Sequence, residues 1–430
     1  MEKIFKLKKN NTNFKTEFTA ALTSFFASVY IVVVNASILS DTGMPMDAQI
    51  IATVLASLVG CLLVAFISNT PLIIMPGMGV NALFTYTIVR AMGLNYHEAL
   101  ASVLIAGFLF SVVALTQLSE ILSTSIPNSL KEAITVGIGL FITFIGLQKG
   151  GLIVSSSTTL VQLGKLTDPH VLAFLITMII TLCLFLKDIP GAFLISIFLG
   201  TITSIAFGIV DLGAIKFGLP NFSAYNDLFF TMNFGKIGTI PFWVATFSLT
   251  LVLVFENIGL LHGQVGGMLK QPEKINKALR ATAFSTVFCG LLGTSPSVST
   301  VEGAAGIAAG GKTGLTSFLT GLLFLISLFF IPIITIIPSA AISPILIIIG
   351  GLMIKNIINI DFEDFSESFP AFLIIILIPL TYSIVDGIAF GFIVYPLAKI
   401  FAKKHKEVSL TMYLVSLIFL IYFVLRGLNL

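Results

Sequence analysis

The sequence has little charge. Asp, Glu, Lys and Arg make up 10% of its 430 residues, against about a quarter in an average soluble domain. That is too little to cover a water-facing surface, so a soluble globular fold is excluded. Cysteine is nearly absent: Cys61, Cys183 and Cys289 stand singly inside apolar runs, which excludes a disulfide framework and reads as buried free thiols. The four histidines, His97, His170, His262 and His405, are scattered and offer no metal-ligand spacing. Neither a metal nor a cofactor is expected.

What is present is apolar and comes in long runs. Hydrophobic residues make up 57% of the chain, with mean hydropathy +1.06. A helix crosses the hydrocarbon layer with about 20 apolar residues. Residues 18–39, 49–67, 98–118, 170–186, 190–210, 241–261, 313–333 and 370–385 form runs of that length or slightly less. The charges are placed unevenly. Lys3, Lys6, Lys8, Lys9 and Lys15 precede the first run; Lys270, Lys274, Lys277 and Arg280 follow another; Lys399, Lys403, Lys404 and Lys406 follow a third. The loop holding Asp41 and Asp47 carries no basic residue. Basic clusters stay in the cytoplasm. The expectation is a multi-pass protein of the cell (inner or plasma) membrane with a cytoplasmic N-terminus and an even number of crossings before residues 399–406. The first run is too long for a cleavable signal, and no small-residue cleavage site ends it.

Internal repeats follow one offset. Asn35 interrupts the apolar run VYIVVVNASILSD, and Glu256 interrupts TLVLVFENIGLLHG, 256 − 35 = 221 residues later. Asn81 in PGMGVNALFTY and Glu302 in SVSTVEGAAGI are also 221 apart, as are Gly93-Leu94 and Gly314-Leu315. The later runs AFLITMIITLCLFLKDIPGAF and AFLIIILIPLTYSIVDGIAF correspond with an offset of 198, which pairs Asp188 with Asp386. Both acids sit at span ends beside glycine and read as caps or turn residues, and Glu132 reads as interfacial.

Counting spans gives seven per half, at about 18–39, 49–67, 71–89, 98–118, 132–148, 170–187 and 190–210, then 241–261, 279–293, 295–310, 313–333, 343–357, 370–385 and 386–402. An odd number inverts the second half, and inverted repeats mark secondary transporters. The expected fold is an all-α polytopic membrane protein of 14 spans as 7+7 inverted repeats. Residues 1–210 form the first repeat, 211–240 an outer loop, 241–402 the second repeat and 403–430 a hydrophobic tail. Within that tail the run 409–425 is either a fifteenth span or a surface helix.

Two spans are poor helices. PLIIMPGMGVNA (71–82) contains Pro71, Pro76, Gly77 and Gly79; proline removes a helix donor and glycine loosens the backbone. An extended stretch with a half-helix starting near Asn81 is expected. GTSPSVSTVEGAAGIAAG (293–310) reads alike: Pro296 and the Ser/Val/Thr alternation favour extension, and the Ala-rich tail after Glu302 favours a half-helix. Unwound backbone at membrane depth belongs inside protein or beside an aqueous cavity, and matched breaks in two halves point to a substrate site.

Glu256 and Glu302 are the acids placed deep inside spans. An acid there is costly and usually functional. An ionised carboxylate is acceptor-only, so it can take two hydrogen bonds from a planar ligand with adjacent N–H groups. Burial raises a carboxyl pKa, which would let one of the pair take up a proton near neutral pH; Glu256 is the candidate for that role. Two other patterns are incidental. Residues 306–313 match the phosphate-loop spacing, and Gly77-Met78-Gly79-Val80-Asn81-Ala82 matches the dinucleotide fingerprint, but both lack the soluble strand-and-helix setting that such loops need. Asn221-Phe222-Ser223 is a formal glycosylation sequon.

The segments SFFASVYIVVVNASILSDTGMP, MPGMGVNALFTYTIV, GIGLFITFIGLQ, GTSPSVSTVEGAAGIAAGGKTGLTS and PLTYSIVDGIAFGFIVYPL resemble the nucleobase–cation symporter-2 family, and within it the purine permeases for adenine, guanine and hypoxanthine. The resemblance covers residues of about 10 to 425. It implies a core domain (18–118 plus 241–333), a gate domain (132–210 plus 343–402), and a base lying between the extended parts of spans 3 and 10. It places the two substrate-binding acids at Glu256 and Glu302, with backbone at Met78, Gly79 and Val301 flanking the base. Thr300 stands where related members often carry an aromatic residue. Asn35, Asn81 and Asn257 complete the expected substrate-binding set.

There are departures from the family pattern. The purine branch usually has Asp at the position of Glu256, and Glu-Asn-Ile-Gly-Leu is closer to the uracil and xanthine branches; Leu260 stands where a polar residue is common. The implied function is uptake of purine bases, guanine and hypoxanthine or adenine, by proton or sodium symport with rocking or elevator alternating access. The alternatives are xanthine- or uracil-type bases, or an anion transporter of the same fold, which would need a neutral or basic residue at position 302. No catalytic constellation or charged pore ring marks an enzyme or channel. The partners expected are a purine nucleobase, the lipid bilayer and a second copy in a homodimer, with no nucleic acid.

Overall fold

Backbone surrounded by lipid must pair its own polar groups, and a helix does so within one segment. The computed structural model describes residues 2–210 and 222–427; residues 211–221 of the expected outer loop, including Asn221 of the sequon, lie outside them, as do the last three residues of the tail. Among the described residues, nine helices are long and apolar enough to cross a membrane: Phe14–Ser40, Met46–Ile67, Tyr96–Leu115, Asn128–Lys149, Pro169–Leu186, Ile240–Met268, Gly314–Ile334, Ser339–Asn359 and Ile384–Phe401. Ala192–Ala206, Phe365–Thr381 and Leu410–Leu425 are shorter apolar helices. The protein is a multi-pass, mostly helical membrane protein.

It is not purely helical. Ile153–Ser156 and Leu160–Leu163 form an antiparallel hairpin after the Asn128–Lys149 helix, with Ile153 opposite Leu163. Cys183 is exposed on its helix, whereas Cys61 and Cys289 are buried as the sequence suggests. The run 409–425 is helical and packs along Ile384–Phe401. It buries Met412, Val415, Phe419 and Tyr422, a stripe at helical spacing, and turns Leu410, Leu414, Leu417 and Ile421 outward. A helix with apolar residues on its outer face suits a lipid surrounding.

The helices pack in two sets. Met46–Ile67, Tyr96–Leu115, Ile240–Leu261, Ile275–Leu292 and Gly314–Ile326 pack on one another, with Phe14–Ser28 and Tyr30–Ser40 against them. Asn128–Lys149, Pro169–Leu186, Ala192–Ala206, Ser339–Ile354, Phe365–Thr381 and Ile384–Phe401 pack on one another in turn. Small residues let each set close tightly. A Cβ on Gly107 would lie 2.7 Å from the Val287 backbone nitrogen, and one on Gly350 only 2.3 Å from the Gly139 carbonyl oxygen.

Inside the first set two short strands cross. Ile74–Pro76 pairs antiparallel with Ser297–Ser299, Ile74 opposite Ser299 and Pro76 opposite Ser297. Each strand leads into a short helix, Met78–Ala82 and Gly303–Ala308. The first starts three residues ahead of Asn81, because Gly77 already ends the extended stretch, and it continues as a π-helix over Leu83–Ala91. The strands are buried, so their backbone groups need partners. Surrounding helices supply them. The Asn257 Oδ1 accepts from the Ser299 N–H at 2.8 Å, the Thr286 hydroxyl donates to the Ser297 carbonyl at 3.1 Å, and the Ser317 hydroxyl donates to the Leu72 carbonyl at 2.6 Å.

Candidate functional site

The two acids stand where the strands end. Glu302 is the residue before the Gly303–Ala308 helix, and Glu256 lies late in Ile240–Leu261. Both are partly buried: Asn257, next to Glu256, holds the N–H of Ser299, and Glu302 follows Ser299 by three residues. Gly79 stands beside Glu256: a Cβ there would sit 4.0 Å from Glu256 Oε2 and 3.0 Å from Ile138 Cγ2. Ile138 belongs to Asn128–Lys149, in the second helix set. Glu256 thus lies at the seam between the sets.

The Glu256 face of its helix is open. Gly259, His262 and Gly263, on the following turns, are exposed, and so is Val301 at 64%. Successive helical residues point about 100° apart, so Asn257 turns inward when Glu256 turns to the open side. That geometry explains why Asn257 serves the Ser299 N–H, with its own Nδ2 donating to the Leu253 carbonyl at 2.7 Å.

The structure therefore separates the expected residues into groups. Val301 is exposed, Glu302 next to it in sequence is half-buried, as is Glu256, and Gly79 is buried against Glu256. Met78 and Thr300 are largely covered, at 9% and 7% exposure. Asn35 and Asn81 are fully buried and meet one another through Ser295 instead. Ser295 Oγ donates to Asn81 Oδ1 at 2.6 Å and lies 3.3 Å from Asn35 Oδ1, while Asn35 Nδ2 donates to Thr53 Oγ1 at 2.8 Å and lies 3.2 Å from Thr294 Oγ1. A shared sequence offset does not say which way a side chain faces.

Two contributors escaped the sequence reading. The Tyr30 hydroxyl donates to Glu302 Oε1. Gln264 donates from Nε2 to the Thr300 carbonyl at 2.6 Å and accepts from the Ser299 hydroxyl at 3.2 Å, so it holds the turn before Glu302. Gln264 could have been noticed as an uncharged polar residue two turns beyond Glu256, whereas Tyr30 is an ordinary aromatic in an apolar run.

The phosphate-loop pattern at 306–313 is occupied by protein. The Glu17 carboxylate accepts from the backbone N–H groups of Lys312 at 3.0 Å and of Thr313 and Thr316 at 3.3 Å, and from the Thr316 hydroxyl at 2.7 Å. It fills the place a phosphate would need. Asp188, at φ 49°, is an exposed turn residue, and Asp386 lies in the first turn of Ile384–Phe401, where its Oδ1 accepts from the Tyr422 hydroxyl at 3.3 Å. Among the described residues no cluster of His, Cys, Asp and Glu could hold a metal ion.

The family model described as "Permease family" matches residues 15–390. A nucleobase transporter of Paenibacillus larvae is 46% identical over 90% of this chain and 78% of its own length. A guanine/hypoxanthine permease of Bacillus subtilis is 37% identical over 97% of this chain and 99% of its own. The transmembrane domain of a cyanobacterial bicarbonate transporter shares the fold, with a TM-score of 0.66 and 17% identity over 88% of this chain and 97% of that one.

Proposed function

This chain belongs to the permease family, the nucleobase–cation symporter-2 family that its sequence resembles, and on that premise we propose that it takes up purine nucleobases by ion symport. The observation that carries the reading is that both acids stand at the paired breaks, Glu256 beside Gly79 and Glu302 three residues after the second strand. Glu302 accepts the ring N–H groups of the base, as an acceptor-only carboxylate can. Glu256 orients the base or takes the coupling proton; sodium is the alternative ion. Backbone at Met78, Gly79 and Val301 flanks the ring. Asn35, Asn81 and Asn257 shape the scaffold rather than touch the base, since all three are buried and their side-chain oxygens accept from Ser295 or the Ser299 N–H.

The first helix set is the core and the second the gate, and relative movement of the two alternates access. The antiparallel pairing of strands from opposite halves supports inverted repeats and the fourteen-span reading, in which broken and short helices count as spans. The N-terminus is cytoplasmic in the cell membrane, on the side of the Lys270–Arg280 cluster, and two copies form a homodimer. The guanine and hypoxanthine specificity of the Bacillus subtilis relative favours those bases. The Glu-Asn-Ile-Gly-Leu run keeps xanthine and uracil as the competing substrates. Anion transport is disfavoured despite the shared fold of the bicarbonate transporter, because Glu302 would repel an anion.

The test is uptake of labelled hypoxanthine in a permease-deficient host, with adenine, guanine, xanthine and uracil as competitors, repeated across pH and without sodium. Competition by guanine with pH-dependent, sodium-independent uptake is the expected result. Uptake blocked only by uracil or xanthine would overturn the purine assignment, and uptake lost on sodium removal would overturn the proton.

A further inference from the structure

We propose that Tyr30 is a positioning residue for base recognition: its hydroxyl donates to Glu302 Oε1 and holds that carboxylate in the orientation from which it accepts the N–H groups of the base. The inference rests on the reading of Glu302 as the base-binding acid. Tyr30 opens the Tyr30–Ser40 helix and is fully buried. Its ring is fixed edge-on against Phe193, with centroids 5.1 Å apart and planes at 72°. Phe193 belongs to Ala192–Ala206, in the second helix set. The hydroxyl therefore comes from a rigid side chain wedged at the seam.

Glu302 has the opposite character. It sits at a turn, beside the exposed Val301, and its terminal torsion is intrinsically broad. A carboxylate free to rotate would have to be ordered by each arriving base, which weakens binding. The Tyr30 bond orders it in advance. A carboxylate carries about four acceptor positions. The tyrosine uses one, and enough remain for a pair of N–H donors on a planar ring. A bond to a charged acceptor is also stronger than a neutral one.

The test compares hypoxanthine uptake by wild type, Tyr30→Phe and Phe193→Leu in a permease-deficient host, at matched amounts of transporter. Tyr30→Phe keeps the ring and loses the donor. KM should rise roughly ten-fold, the scale of a lost bond to a charged group, with Vmax within about two-fold of wild type. Phe193→Leu loosens the packing and keeps the hydroxyl, so KM should change less than about three-fold. In equilibrium binding to purified protein, Tyr30→Phe should weaken hypoxanthine similarly in the wild-type background and by less than about two-fold in a Glu302→Gln background, since coupled residues are not additive.

A KM for Tyr30→Phe within two-fold of wild type overturns the proposal, as does an equal loss in both backgrounds or a larger KM rise in Phe193→Leu than in Tyr30→Phe. If Tyr30→Phe does not accumulate, Tyr30→Met is read by the same criteria. A wild type that takes up no purine overturns the functional reading and this proposal with it. A wild type that takes up purine as well as Tyr30→Phe does overturns the role of Tyr30 alone.

Discussion

Lys149 Nζ lies 2.8 Å from Asp41 Oδ2 and joins the two helix sets across their seam. Asp41 follows the Tyr30–Ser40 helix, and Lys149 ends Asn128–Lys149. Around the pair, the Tyr86 hydroxyl donates to Asp41 Oδ2 at 2.6 Å, the Arg90 guanidinium donates to the Asp41 carbonyl at 2.7 Å, and the rings of Tyr86 and Tyr382 meet edge-on at 5.5 Å. These contacts tie the Asp41 end of the two sets together, while Gly259, His262 and Val301 are exposed.

Breaking that pair should release the Asp41 end. A partly exposed ion pair contributes about 0–1 kcal/mol, so Lys149→Met should shift the conformational balance by up to about five-fold. The readout is labelling of Val301→Cys by an impermeant maleimide added from the Lys149 side, in a protein whose own three cysteines are replaced. Labelling should increase by two- to five-fold. Unchanged labelling would show that the pair does not hold the seam.

Gly79→Ala should slow transport at least ten-fold. The added methyl would meet Ile138 Cγ2 at 3.0 Å and approach Glu256 Oε2 at 4.0 Å, so the neighbouring helix must give way. A second change, Ile138→Ala, removes the obstacle and should restore a large part of the rate. Failure of the double variant to recover would place the effect in the Gly79 backbone rather than in contact with Ile138.

Glu17→Ala should destabilise the fold by about 3 kcal/mol, because three N–H groups and a hydroxyl lose a buried charged acceptor. Glu17→Gln, which keeps one acceptor oxygen, should fall between. Thermal unfolding of the purified variants is the measurement, and an unchanged midpoint for Glu17→Ala would contradict the capping role.

Stability should also depend on pH through Asp364. Its carboxyl is held well below the usual carboxylate range, first by the hydrogen bond from the Lys404 ammonium at 2.7 Å and then by the Ser366 hydroxyl. A folded value below the unfolded one, about 3.9, stabilises the fold above that pH and ceases to do so as the pH falls through the folded value. Asp364→Asn should therefore melt below wild type at pH 7, and the gap should narrow as the pH drops below about 4. A gap that stays constant with pH would assign the effect to the helix cap rather than to the charge.

The acids were legible in the sequence because a carboxylate inside an apolar run needs a reason to be there. The broken segments were legible because proline and glycine interrupt the helical pattern. Tyr30 was not: tyrosine fits an apolar run without comment, and its partner Glu302 is 272 residues away. The strand pair was legible only as extension. Its register depends on residues more than 220 positions apart, Ile74 with Ser299 among them, and no local signal encodes that meeting. Asn35 and Asn81 show the limit of reading by offset, which carries no information on their inward direction.

The central claim is that Glu302 receives the base, and labelled uptake by Glu302→Gln tests it most directly. An amide keeps the size of the side chain but replaces one acceptor oxygen with a donor, which would face the N–H groups of the ring. Uptake of hypoxanthine and guanine by Glu302→Gln, in a permease-deficient host and at wild-type protein levels, should fall at least ten-fold. Full uptake by that variant would contradict it.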